Sequence, residues 1–158
     1  MRFEHLIAIN DINNPFVETL TSEQLWAGIL KRVENPEPFL PGLETCEVVT
    51  QGENWVERLL DFGPVSIRDR VTLKPKESAL FEILPSASHA GGSLMIQIEA
   101  RDEIALFLRF TYETHNPAAA DDEQYSDYVK SAYEQSDIDM VKLIREWAAE
   151  GKLAITVH

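Results

Sequence analysis

Cysteine is nearly missing from this chain: Cys46 stands alone among 158 residues. A single thiol excludes a disulfide framework and a thiolate metal site. Its apolar-leaning neighbourhood, without an adjacent cation, is that of an inert packed thiol rather than a nucleophile. Histidine is also sparse. His5, His89, His115 and His158 are scattered, with no close pair and no carboxylate at metal-ligand spacing, so no metal is expected. Basic residues are few, 14 Lys and Arg against 27 Asp and Glu, for a net charge of -13. Phosphate binding relies on clustered cations, which argues against nucleic acid and against docking on anionic membranes. So acidic a balance serves solubility. No apolar run approaches the ~20 residues that cross a bilayer, so membrane insertion is not expected. The opening MRFEHLIAIN has its short apolar run broken by Glu4 and His5, unlike a signal peptide, which makes the cytoplasm the expected location. The glycine-bearing SASHAGGS lacks the order of a phosphate loop, no GxSxG elbow occurs, and no cofactor is expected.

What the chain does contain is clear periodicity. Its length suits a single domain with a real core, spanning 1–158. Phe3 to Ile9 alternates as a strand. Thr21 with Gln24 three residues on forms a capping-box pattern, opening a helix with Leu25, Trp26, Ile29, Leu30 and Val33 on its apolar stripe. Pro36 ends that helix near Asn35, and the proline-rich PEPFLPGL is a connector with room for one helical turn. The period then becomes two. Strands are expected near 43–50, 55–62, 65–74, 79–84, 93–101 and 105–115, punctuated as an antiparallel meander. A long helix from about Asp121 to Gly151 closes the chain, its apolar stripe running from Tyr125, Tyr128, Val129, Ala132 and Tyr133 to Met140, Val141, Ile144, Trp147 and Ala148. The expected architecture is α+β: a curved antiparallel sheet of about seven strands gripping one long C-terminal helix, with a short helical segment after the first strand. If sheet and helix do not close completely, a cavity for an apolar ligand remains between them.

One strand breaks its own pattern. In VSIRDRVTL, Val65, Ile67, Val71 and Leu73 share a face, and Asp69 sits in the middle of it. A two-residue turn at Gly63-Pro64 places Leu60 opposite Ile67, Val56 opposite Val71, and Arg58, the other charge on an apolar face, opposite Asp69. With Gln51 to Asn54 as a four-residue loop, Glu47 lands opposite Arg58, giving a row Glu47–Arg58–Asp69; a one-residue change there sends Glu47 to the other face. Such a row is either a buried ion pair that holds register or a polar anchor for a ligand, with Arg offering two parallel hydrogen bonds to a carbonyl or carboxylate.

The element order resembles the helix-grip fold of the START, pollen-allergen and polyketide-cyclase-like superfamily. The segments ERLLDFGPVSIRDRVTL and FEHLIAIN are similar to its AtaL-like branch. The resemblance implies a cavity for a small apolar or amphipathic molecule. Arg58 would anchor that molecule's polar end and Asp69 would orient Arg58 or act on the ligand. Apolar contacts are expected from Val56, Leu60, Ile67, Val71, Ile96, Leu108 and Phe110 on the sheet, and from Val129, Tyr133 and Val141 on the helix. Tyr112 joins them as a polar tip facing the cavity, and His5 as a histidine facing the core. The resemblance to cyclases also implies an enzymatic alternative, with Asp69 as base and Arg58 stabilising an enolate oxygen of a poly-carbonyl chain. A third alternative is a collapsed cavity in a homodimer or interaction module that uses the connector Pro36 to Pro41.

Overall fold

The computed structural model describes residues 2–10, 13, 18–87, 90–101, 105–114 and 123–153, with backbone only for 123–126. Seven strands form one antiparallel sheet in the order β1-β7-β6-β5-β4-β3-β2. They are β1 (Arg2–Ala8), β2 (Thr45–Gly52), β3 (Trp55–Asp61), β4 (Ser66–Lys74), β5 (Ser78–Ile83), β6 (Gly92–Ala100) and β7 (Leu106–Thr114). Two α-helices, α1 (Ser22–Glu34) and α2 (Glu123–Ala149), lie with a 3-10 turn (Glu37–Phe39) on the concave face. The α+β expectation of a curved sheet, a long C-terminal helix and a short helix after the first strand therefore holds. At 1.5 Å per residue α2 is about 40 Å long, enough to cross the sheet.

Local chemistry accounts for the element ends. The Thr21 hydroxyl accepts from the Gln24 amide at 3.1 Å while the Thr21 amide donates to the Gln24 side chain at 2.8 Å, completing the capping box. Gly151 ends α2 in the left-handed region at φ +71°, where a glycine costs least. Phe39 of the 3-10 turn is buried edge-on against Trp147, with ring centroids 5.4 Å apart. The connector thus turns its largest apolar side chain inward.

The β3–β4 register matches the expectation, with Val56 opposite Val71, Arg58 opposite Asp69 and Leu60 opposite Ile67. The β2–β3 register does not. Gly52 pairs with Trp55, so only Glu53 and Asn54 turn the chain, Asn54 at φ +61°, and a bulge interrupts the ladder between Val48 and Thr50. Val48 consequently stands opposite Arg58, while Glu47 stands opposite Leu59 and is exposed. The proposed row loses Glu47 because the two-residue turn shifts the register by two and the bulge then offsets side-chain alternation by one.

On the concave face, core packing is concentrated where the helices cross. A Cβ on Gly28 of α1 would lie 2.6 Å from Ile144 of α2, so the missing side chain permits this close approach. Ile144 is fully buried there, and Met140 and Val141 nearly so, with Ile96, Leu108 and Phe110 beneath them. Away from this crossing the sheet is less completely covered.

Candidate functional site

At the less covered end, the β3–β4 turn and the β5–β6 connection meet the C-terminal end of α1. A cavity of about 290 Å³ lies there. Its walls are Leu60, Phe62, Ile67, Phe81, Ile83 and Leu94 from the sheet and Leu40 from the connector. Tyr112, Tyr133, Arg32, Arg58 and Asp69 supply polar groups together with Glu113 and Thr114 at the end of β7, and Gly91, Gly92 and Ser93 border it from the β5–β6 side.

Of the residues anticipated from sequence, Arg58, Asp69, Leu60, Ile67, Tyr112 and Tyr133 line this space. Others do not. Val71, Ile96, Leu108 and Phe110 are completely buried and Val141 nearly so, within the core under the helix crossing. Val56 packs against the same core from a half-buried position, and Val129 is half-buried outside the cavity lining. The reason is tertiary: alternation assigns a face, but the α1–α2 crossing decides which part of that face is sealed. Tyr128 is exposed, and the side chain of Tyr125 lies outside the described residues. His89, His115 and His158 also lie outside them. Among the described residues no cluster of His, Cys, Asp or Glu could hold a metal. Cys46 is half-buried, and burial pushes its thiol above the usual range, in keeping with an inert thiol.

The Arg58–Asp69 pair is buried and fully engaged. Nε of Arg58 donates to Asp69 Oδ1 at 2.9 Å and Nη2 donates to Oδ2, a side-on fork. Nη1 donates to the carbonyls of Val33, at 2.9 Å, and Arg32, at 3.4 Å. Those carbonyls belong to the last turn of α1, where no intrahelical donor reaches them and the helix dipole is negative. Arg58 therefore ties the end of α1 to β3, and Asp69 holds Arg58 in place.

Two further polar groups carry equal interest and escaped the sequence reading. Arg32 exposes 7% of its surface and faces the cavity from α1. Burial pushes its pKa down, although a guanidinium remains charged throughout the accessible range. Asp137 of α2 is completely buried. It accepts a hydrogen bond from the Tyr112 hydroxyl on one oxygen and faces His5 Nδ1 at 3.3 Å with the other. Burial raises its pKa to about 6, against the opposing pull of Tyr112, His5 and Arg32. The Tyr112 ring stacks on Tyr133 with centroids 4.0 Å apart, which fixes the hydroxyl in the cavity wall. Both residues had a sequence signal. Arg32 follows Ile29 by three and Leu25 by seven, and Asp137 precedes Met140 by three and Ile144 by seven, so each is a charge on a buried helical stripe.

This geometry can be set beside known proteins. The family model for AtaL, acetylaranotin biosynthesis cluster protein L, matches residues 7–151. The chain belongs to the AtaL family. No curated protein sequence matches it significantly. Among solved structures this AtaL-family chain is similar to the Zhui aromatase/cyclase from Streptomyces sp. R1128, at 15% identity and a TM-score of 0.66, over 94% of this chain and 93% of that one. It is also similar to Ara h 8.0201, at 11% identity and 0.61 over 91% and 97% of the two chains. A third is the Aha1 dimer from Colwellia psychrerythraea, at 13% and 0.60 over 92% and 96%. At such identities the likeness establishes the helix-grip fold.

Proposed function

We propose that this AtaL-family protein binds a small apolar or amphipathic molecule in the cavity between the sheet and its two helices. The observation that carries the reading is the cavity itself: about 290 Å³, walled mainly by apolar side chains, with a few convergent polar groups at fixed positions. Such a composition is typical of small-molecule sites, and the volume lies near the lower end of their range of ~300–1,000 Å³. Leu60, Ile67, Phe81 and Leu94 supply apolar contact, and Tyr112 and Tyr133 a stacked aromatic wall. A family named for a biosynthesis cluster protein and an aromatase/cyclase among the structural relatives are in keeping with a role in small-molecule metabolism.

The test is native mass spectrometry of the protein purified from cells, with denaturing extraction of anything retained. A discrete adduct in the wild type that is lost in Ile67→Trp, with circular dichroism unchanged, supports occupancy of this cavity. An adduct that survives the filling of the cavity places the ligand elsewhere and overturns the reading.

A second reading, a cyclase-like enzyme, is favoured by the Tyr112 hydroxyl in the cavity wall, backed by Asp137 and His5. In that reading proton transfer passes through Tyr112. Asp69 is a poor base, because Arg58 engages both of its oxygens. Turnover of a poly-carbonyl probe that is lost in Tyr112→Phe would favour the enzyme; binding without turnover favours the carrier.

A further inference from the structure

Arg32 is a buried cation that Asp137 attracts through space without bonding to it. Its Nη1 donates to the Met140 sulfur at 3.3 Å, and its guanidinium lies 5.7 Å from the centroid of the Phe81 ring. A thioether is a weak acceptor and an aromatic face only a partial counter-charge. Arg32 forms no ion pair among the described residues. The carboxylates around the site are engaged elsewhere: Asp69 gives both oxygens to Arg58, those of Asp137 go to Tyr112 and His5, and Glu113, at the cavity border, is exposed and lies 3.7 Å from Arg2. A guanidinium carries five N–H donors, so most of those on Arg32 have no protein acceptor among the described residues. They border a cavity whose other walls are chiefly apolar. Burying a charge without a partner is costly, and an anion brought by a ligand would recover part of that cost.

We infer that the cavity's ligand is a small amphipathic carboxylic acid whose carboxylate pairs with Arg32. Its apolar body lies against Leu60, Ile67, Phe81 and Leu94. A monoanionic, planar carboxylate suits one guanidinium fork. A phosphate dianion fits less well, since a single guanidinium fork, in a chain of net charge -13, would leave it under-neutralised. Arg58 does not compete for the role, because Asp69 and the α1 carbonyls already occupy its Nε, Nη1 and Nη2. The inference rests on the cavity being a ligand site and adds to it the chemical class of the ligand.

The experiment is calorimetric titration of the intact protein at pH 7 with two matched probes, 2-naphthoate and 2-naphthol, which share a ring and differ in charge. A charge-assisted hydrogen-bonded pair in a buried wall predicts that the wild type prefers naphthoate by about 10- to 100-fold. Arg32→Met should abolish that preference while naphthol affinity stays within a few-fold. Equal affinities in the wild type, or a preference that survives in Arg32→Met, overturn the inference and leave the cavity reading intact. Binding of neither probe overturns both. If Arg32→Met does not fold, the wild type still decides, through the pH titration of carboxyl-labelled naphthoate followed by carbon NMR. A bound carboxyl pKa below that of the free acid supports pairing with Arg32. One that is unchanged or raised, as in an apolar pocket without a cation, refutes it.

Discussion

Replacing Arg58 by Met is the most informative perturbation of the fold, because its size follows from what the guanidinium holds. Arg58 and Asp69 are 3% and 4% exposed. Removing the arginine strands a buried carboxylate, which costs about 3–5 kcal/mol. The carbonyls of Arg32 and Val33 lose their donor as well, at about 1 kcal/mol each. Against the ~5–15 kcal/mol of a typical domain, this brings the protein close to unfolding. Asp69→Leu alone leaves the cation unpaired and costs a comparable ~3–5 kcal/mol. The double variant Arg58→Met/Asp69→Leu removes both charges and retains only the loss at the α1 carbonyls, about 2 kcal/mol. Urea unfolding of the four proteins, followed by circular dichroism, should give a coupling energy of at least about 3 kcal/mol, with the double variant more stable than either single one. Additivity within ~0.5 kcal/mol would refute the argument that the pair acts as one unit joining α1 to the sheet.

Asp137 predicts a pH effect of defined sign. Its carboxyl ionises near 3.8 in the unfolded chain and near 6 in the fold, so the fold holds the extra proton between these values. Stability therefore falls as pH rises through that window, by up to about 3 kcal/mol by pH 7. Asp137→Asn keeps an acceptor for Tyr112 and lacks this term; the stability difference between variant and wild type should move in the variant's favour from pH 4 to 7, and a constant difference would contradict the assignment. Gly28→Ala should destabilise by about 1–3 kcal/mol in thermal or urea unfolding, because the new methyl meets Ile144, whereas an exposed helical glycine would gain from the change. Glu47→Gln should alter stability by less than ~0.5 kcal/mol, as its exposed place opposite Leu59 implies; a loss of several kcal/mol would restore the abandoned cross-strand row. Thr21→Ala should cost about 1 kcal/mol in the same assay through loss of the capping box.

Local periodicity was sufficient for most of the architecture. Alternation with period two marks strands because the pleat sends successive side chains to opposite faces, and helical stripes mark α1 and α2 for the equivalent reason. The Gly63-Pro64 turn was short enough to carry register from Leu60–Ile67 to Arg58–Asp69, so two charges far from any motif were paired from sequence alone. At β2 the same logic failed: the bulge between Val48 and Thr50 has no distinctive residue, and one unpaired position moved Glu47 to the outer face.

Sequence by itself determined the strands, the helices, the α+β class and the Arg58–Asp69 opposition. Tertiary structure alone decided the rest. Side-chain alternation states which face a residue shares, not what covers it. The close crossing of α1 and α2 at Gly28 and Ile144 seals Ile96, Leu108 and Phe110 into the core, while the cavity remains beside Leu60, Ile67 and Arg32. Whether a buried charge has a partner depends on contacts between distant elements. Arg58 finds Asp69 across one hairpin, and Asp137 finds Tyr112 and His5 on two other strands. Arg32 finds a largely apolar cavity, because the carboxylates near it, Asp69 and Asp137, are hydrogen-bonded to other groups and none is ion-paired with it among the described residues.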